Sequence, residues 1–161
     1  NNIHANGQYG LIVLNPAGQE VDATLNWWGD ATGPASDTEL DNPHGADAAG
    51  DAVSDNVDFM PWYAMATTTP ATQNVSVDHL GSIIAYSDTI QGGIDVVVSG
   101  DTINVAAGTY NEELTINKSL TLLGAQADVP IVNGVRAGEE SIIRGKGTSP
   151  TTYLPSSVRV V

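Results

Sequence analysis

Residues 100–125, GDTINVAAGTYNEELTINKSLTLLGA, constrain the fold more than any other stretch of this chain. Apolar side chains stand at Ile103, Val105, Leu114, Ile116, Leu120 and Leu122, with polar ones between them. A period of two sorts side chains onto the two faces of an extended strand, whereas a helix would scatter them around its circumference. Glycine and asparagine interrupt the run, and both accept the backbone angles of sharp corners. The stretch therefore predicts strand, corner, strand, corner, strand, each half-buried. PIVNGV, SIIRG and SVRVV continue the pattern to Val161.

The beginning of the chain has the same rhythm. NNIHANGQYGLIVL (residues 1–14) opens on turn-forming residues and ends in a short apolar run. NPAGQE turns, and VDATLNWW alternates into another strand. Short strands with sharp corners, roughly one coil per twenty-odd residues, suit a solenoid. Residues 29–58 are rich in turn formers and predict a long irregular loop that ends in a strand within AVSDNVDF. MPWY adds an aromatic anchor, and AMATTTPATQ (64–73) has the composition of a linker. NVSVDHLGSIIAYS then predicts one or two short strands. SDTIQGGIDVVVSGD predicts a helix, with Ser87 or Asp88 as N-cap and Ile90, Ile94, Val97 and Val98 on one face. Gly92 and Gly93 weaken that helix by roughly 1 kcal/mol each relative to Ala, so packing must hold it.

Composition narrows the function. The 161 residues suffice for one ordinary domain or two small ones. Nineteen acids against five bases give a net charge of −14, which repels phosphate backbones and anionic lipid. Neither a nucleic-acid partner nor membrane insertion is expected. With 15% charged and 41% hydrophobic residues, the chain is no disordered acidic tail. It has no cysteine, so disulfides and thiolate metal sites are excluded. Few lysines, together with the sequons Asn74-Val75-Ser76 and Asn117-Lys118-Ser119, point to an extracellular or cell-surface setting, with Asn74 and Asn117 as candidate glycosylation sites. The sequence carries no visible signal peptide or spanning segment, and residue 1 falls inside a strand-and-turn pattern. A processed product or an excerpt of a longer protein is expected.

Residues 100–125 resemble the opening coils of right-handed parallel β-helix proteins, the pectate-lyase-like superfamily. The likeness is strongest to cell-surface and surface-layer repeat proteins of archaea and some bacteria. TIQGGIDVVVSGD resembles the short amphipathic helix that covers the first coil in that family. NWWGDATGP (26–34), followed by GDAVSDNVDFMPW (50–62), resembles the closing end of the same fold. The resemblance implies an all-β fold, a right-handed parallel β-helix or solenoid, with one short capping helix around residues 89–98. It divides the chain into terminal coils and a closing cap (1–63), a linker (64–73), and a capping helix with opening coils (74–161). The resemblance implies that the closing device comes first because the coils it closes are expected before residue 1.

An uncapped solenoid end leaves a row of unpaired backbone groups and an open apolar floor. In this chain Ile3, Tyr9, Leu11 and Val13 fall in the first coil, and Val158 and Val160 fall in the last strand. These six residues are the predicted assembly interface. Its partners would be other copies stacked head to tail, a contact that does not close on itself, or adjoining β-helix domains.

Three groups of side chains invite a chemical reading. Trp27, Trp28 and Trp62 would plug the end of the solenoid, with a sugar-stacking platform as the competing role. One of the adjacent pair must face outward if the stretch is a strand. Asp37, Glu39 and Asp41 offer carboxylates at alternate positions, and calcium is the one cofactor they suggest; a solvated acidic loop is the competing reading. The EF-hand pattern is absent. His4, His44 and His79 lack metal-ligand spacing. Of the catalytic signatures of polysaccharide hydrolases only His44-Gly45 echoes any, and Arg136, Arg144, Lys146 and Arg159 sit in no lyase pattern. Glu112 and Glu113 are adjacent, so on a strand they face opposite sides and cannot act as a pair. No catalytic residue is assigned, and the chain is read as not an enzyme. The expected function is structural: a surface-layer, sheath or filament protein built by end-to-end stacking of coils. The alternative is a carbohydrate-binding or polysaccharide-processing module with cell-surface glycans as partners.

Overall fold

A computed structural model describes residues 1–14, 19–36, 42–66, 73–133, 136–145, 152–153 and 158–160. The fold is all-β with one short α-helix. The first half contributes β1 (Tyr9–Leu11), β2 (Val21–Asp22), β3 (Pro34–Ser36), β4 (Gly50–Val53), β5 (Val57–Asp58) and β6 (Trp62–Tyr63). The second half contributes β7 (Val75–His79), β8 (Ser82–Ser87), α1 (Ile90–Val96), β9 (Thr102–Val105), β10 (Gly108–Asn111), β11 (Leu120–Leu123), β12 (Ser141–Arg144), β13 (Thr152–Tyr153) and β14 (Val158–Val160).

Strand pairing within the first half is parallel throughout the described residues. β4 lies between β1 and β3, β2 pairs with β5, and Asn2 bridges to Trp27. Parallel neighbours need a crossover, and the one from β3 to β4 includes a 3-10 helix, Gly45–Asp47. The second half has two parallel pairs of its own, β9 with β11 and β10 with β12. Between the two sets stands an antiparallel hairpin, β7 and β8, closed by Leu80-Gly81 with φ of 52° and 89°. Two consecutive positive φ angles make the tight turn that matches strand twist.

This hairpin joins the halves. β6 pairs in parallel with β8, and β7 pairs antiparallel with β9. The resulting six-stranded sheet runs β14-β11-β9-β7-β8-β6. Its inward row is Trp62, Ala85, Val77, Ile103 and Leu122, all buried. α1 packs on that face through Ile90, Gly93, Ile94 and Val96. One continuous apolar cluster runs from Ala23 and Trp28 in the first half to Leu120 and Leu122 in the second. Of the expected linker, Ala64 is buried and donates its N–H to Tyr86, while residues 67–72 lie outside the described ones.

Several local expectations change. The N-cap of α1 is Thr89, not Ser87 or Asp88: its hydroxyl accepts the Gly92 N–H at 3.0 Å. The glycines that weaken the helix are required by packing, since a Cβ on Gly93 would stand 2.9 Å from Val75 Cγ1. The expected loop 29–58 holds paired strands β3, β4 and β5, because the buried Val53 and Val57 need their backbone satisfied. The strand expected in ELTIN does not form. Residues 112–118 instead run along α1 as a strap. Glu112 accepts the Ile90 and Gln91 N–H groups, one on each carboxylate oxygen, both at 2.9 Å. Thr115 N–H donates to Gln91 Oε1 at 2.8 Å, and Lys118 Nζ donates to the carbonyls of Asp95 and Val97 at 3.2 and 2.8 Å. An acid at the start of a helix and a base at its end both oppose the macrodipole.

Candidate functional site

The surfaces expected to carry assembly lie at the two ends of the strand order. β1 is an edge strand of its sheet. Tyr9 and Leu11 are half-buried on it, and Ile3 and Val13 pack against the core beside it. Ile3 N–H donates to the Trp27 carbonyl at 2.7 Å, and Val13 N–H donates to Ser54 Oγ at 2.7 Å. Directly after this strand Ile12 (49% exposed) and Leu14 (84%) stand in solvent, as does Val21 (39%) on β2. At the other end β14, which holds Val158 and Val160, does not stand as an open strand. It doubles back antiparallel onto β11, Leu120 opposite Val160. A strand edge that finds a partner in its own chain no longer offers those backbone groups outward.

The tryptophans divide as the alternation requires. Trp28 and Trp62 are fully buried and Trp27 is half-exposed. Trp62 lies over Gly33, where a Cβ would come within 2.7 Å of the indole, and donates its ring N–H to the Ala31 carbonyl at 2.9 Å. Phe59 packs beside it with ring centroids 6.2 Å apart. Trp62 therefore holds the turn at 31–33 on one side while its own strand pairs with β8 on the other.

The loop at 42–48 brings a polar group to the end of α1. Asn42 is buried and fixes this loop, donating to the carbonyls of Thr32 and Pro34 at 3.0 and 2.8 Å and accepting the His44 N–H at 2.9 Å. His44 then lies near the Val96 carbonyl, within electrostatic reach of Asp30, Asp101 and Lys118. Its Nε2 is buried and has no hydrogen-bond partner among the described residues. Burial holds its pKa below the usual histidine value; Lys118 adds to that, while the Val96 carbonyl and the two aspartates oppose it. His79 meets the same region from β7, with Nδ1 2.7 Å from the buried Asp101, whose other oxygen accepts the Val98 N–H at 2.9 Å. Histidines 35 positions apart thus feel one carboxylate, His79 by direct contact and His44 through its charge. Sequence spacing alone could not reveal it, because the join is made by the β6–β8 pairing. Asp30 has its own partners: the N–H and hydroxyl of Thr32 hold its carboxyl below the ordinary range.

The remaining expectations fall as follows. Asp37, Glu39 and Asp41 lie outside the described residues, as does Lys146. Among the described residues no group of three or more His, Asp or Glu side chains could hold a metal ion, and no helix is long and apolar enough to cross a membrane. Asn117 is exposed, and Asn74 is half-buried beside a cleft. Glu112 is turned to α1 while its neighbour Glu113 is exposed. Arg136 faces Glu140 at 3.8 Å, and Arg144 is exposed. No protein-family profile, curated protein or solved structure matches this chain.

Proposed function

We propose that this chain is a structural module, the junction between two right-handed parallel β-helices of an extracellular or cell-surface assembly. The observation that carries the reading is the parallel pairing of β4 with β1 and β3, of β2 with β5, of β9 with β11 and of β10 with β12, with β1 left as an edge strand followed by the exposed Ile12 and Leu14. Parallel coils satisfy their backbone by stacking, so such an edge takes another coil. That coil comes from a second copy or from an adjoining β-helix domain. The antiparallel hairpin β7–β8 is the adaptor that lets one stack end and the next begin within one sheet. The −14 net charge keeps the lateral faces apart and leaves the apolar edge as the adhesive one.

Sedimentation and negative-stain imaging across a concentration series test this. The chain should associate end to end, and the pair Ile12→Lys and Leu14→Lys should leave monomers with unchanged circular dichroism. A chain that stays monomeric at millimolar concentration defeats the stacking reading.

A further inference from the structure

The six-stranded sheet has an outer face that α1 does not cover. Pairing register lines up one row across five of its strands. Tyr63 stands opposite Tyr86, Tyr86 opposite Ser76, Ser76 opposite Asn104, and Asn104 opposite Leu123. Their chain neighbours, among them Trp62, Ala85, Val75, Val77, Ile103, Val105 and Leu122, are buried. Since alternate side chains point to opposite faces, the row points away from the core. Each of its five residues is half-buried or exposed. Four strand spacings give the row a length of roughly 19 Å.

At the Asn104 end the row runs into an open cleft of about 320 Å3, where the polar residues Gln73, Asn74, Ser76 and Asn104 alternate with Leu123 and other small or apolar ones. No lining residue is charged, in a chain of net charge −14. Amides and hydroxyls both donate and accept, which suits a ligand dense in hydroxyl groups. Two neighbouring tyrosines offer flat apolar surface with a polar tip. An anionic ligand would find no cation in the cleft to offset the acidity of the whole chain. A purely apolar ligand would strand the amides without partners.

We propose that this row and cleft bind a neutral polysaccharide, laid across the strands with its sugar faces on Tyr63 and Tyr86 and its hydroxyls on Ser76, Asn104 and Gln73. The site is separate from the β1 edge, and it stands or falls independently of stacking.

Affinity electrophoresis of the full chain tests the site, using protein from a host that does not N-glycosylate, since Asn74 borders the cleft. The gels contain galactomannan, hydroxyethylcellulose or dextran as neutral polymers, and polygalacturonate as the anionic one. At least one neutral polymer should retard the protein, and polygalacturonate should not. Tyr86→Ala and Asn104→Ala should each weaken retardation at least about tenfold, the loss expected of about 1.4 kcal/mol. Tyr86→Phe should retain most of it, and Ile12→Lys on the remote edge should change nothing. Asn104 is exposed, so its variant remains informative if Tyr86→Ala unfolds. The proposal is overturned if no neutral polymer retards the chain, if polygalacturonate does so equally, or if retardation survives the Asn104 substitution.

Discussion

At His44 a buried imidazole nitrogen faces the end of a helix from the other half of the chain. Asn42 holds its loop in place through bonds to the Thr32 and Pro34 carbonyls. Burial favours the neutral ring. The unfolded chain should titrate this histidine near about 6.5, and the folded one below that. Between those values the unfolded state binds more protons, so the stabilisation is complete above about 6.5 and declines as pH falls through the window. His44→Gln should flatten that decline, read from urea midpoints on either side of it; an unchanged pH profile would show that the ring is not buried as described. Asp22 and Asp30, both held below the carboxylate range by Thr24 and Thr32, act only in stronger acid, where their contribution is lost as they protonate.

The helix and its strap show how an element too weak alone becomes firm. Seven residues with two glycines do not form a helix in water. Thr89 and Glu112 satisfy three of its first N–H groups, and Lys118 satisfies two carbonyls at its far end. Replacing Glu112 by Ala should lower stability by about 1–2 kcal/mol, the sum of a lost cap and a lost charge at the helix start. Glu113→Ala, on the exposed side, should stay within about 0.5 kcal/mol. Thermal melts of the two variants side by side check this. The alternation of ELTIN does set one side in and one side out, since Leu114 and Ile116 pack on the core. Its partner is helix α1 rather than a strand, because a period of two says nothing about what lies alongside.

On the scale of the whole molecule the two halves share a sheet and a core. All three tryptophans lie in the first half and strands lie in both, so fluorescence reports on the first half and far-ultraviolet circular dichroism on the backbone of the two together. Their unfolding transitions should coincide. Trp62→Ala should lower both together, by about 3–5 kcal/mol for a buried large aromatic. Separate transitions in the wild-type chain would instead mean that the β6–β8 pairing and the shared core couple the halves only weakly.

Legible in the sequence were the all-β class, the short helix near residue 90, the split of the Trp27–Trp28 pair between two faces without saying which faces in, and the faces of the strands that alternate cleanly. These depend on local periods and on local backbone preferences, which neighbours along the chain express directly. Invisible without the folded chain were the antiparallel hairpin of β7 and β8, the return of β14 onto β11, the contact of His79 with Asp101, and the row shared by Tyr63, Tyr86, Ser76 and Asn104. Each of those depends on which strand edge meets which. A backbone edge carries the same N–H and C=O groups whatever its side chains, so its choice of partner is made by the packing of the whole chain.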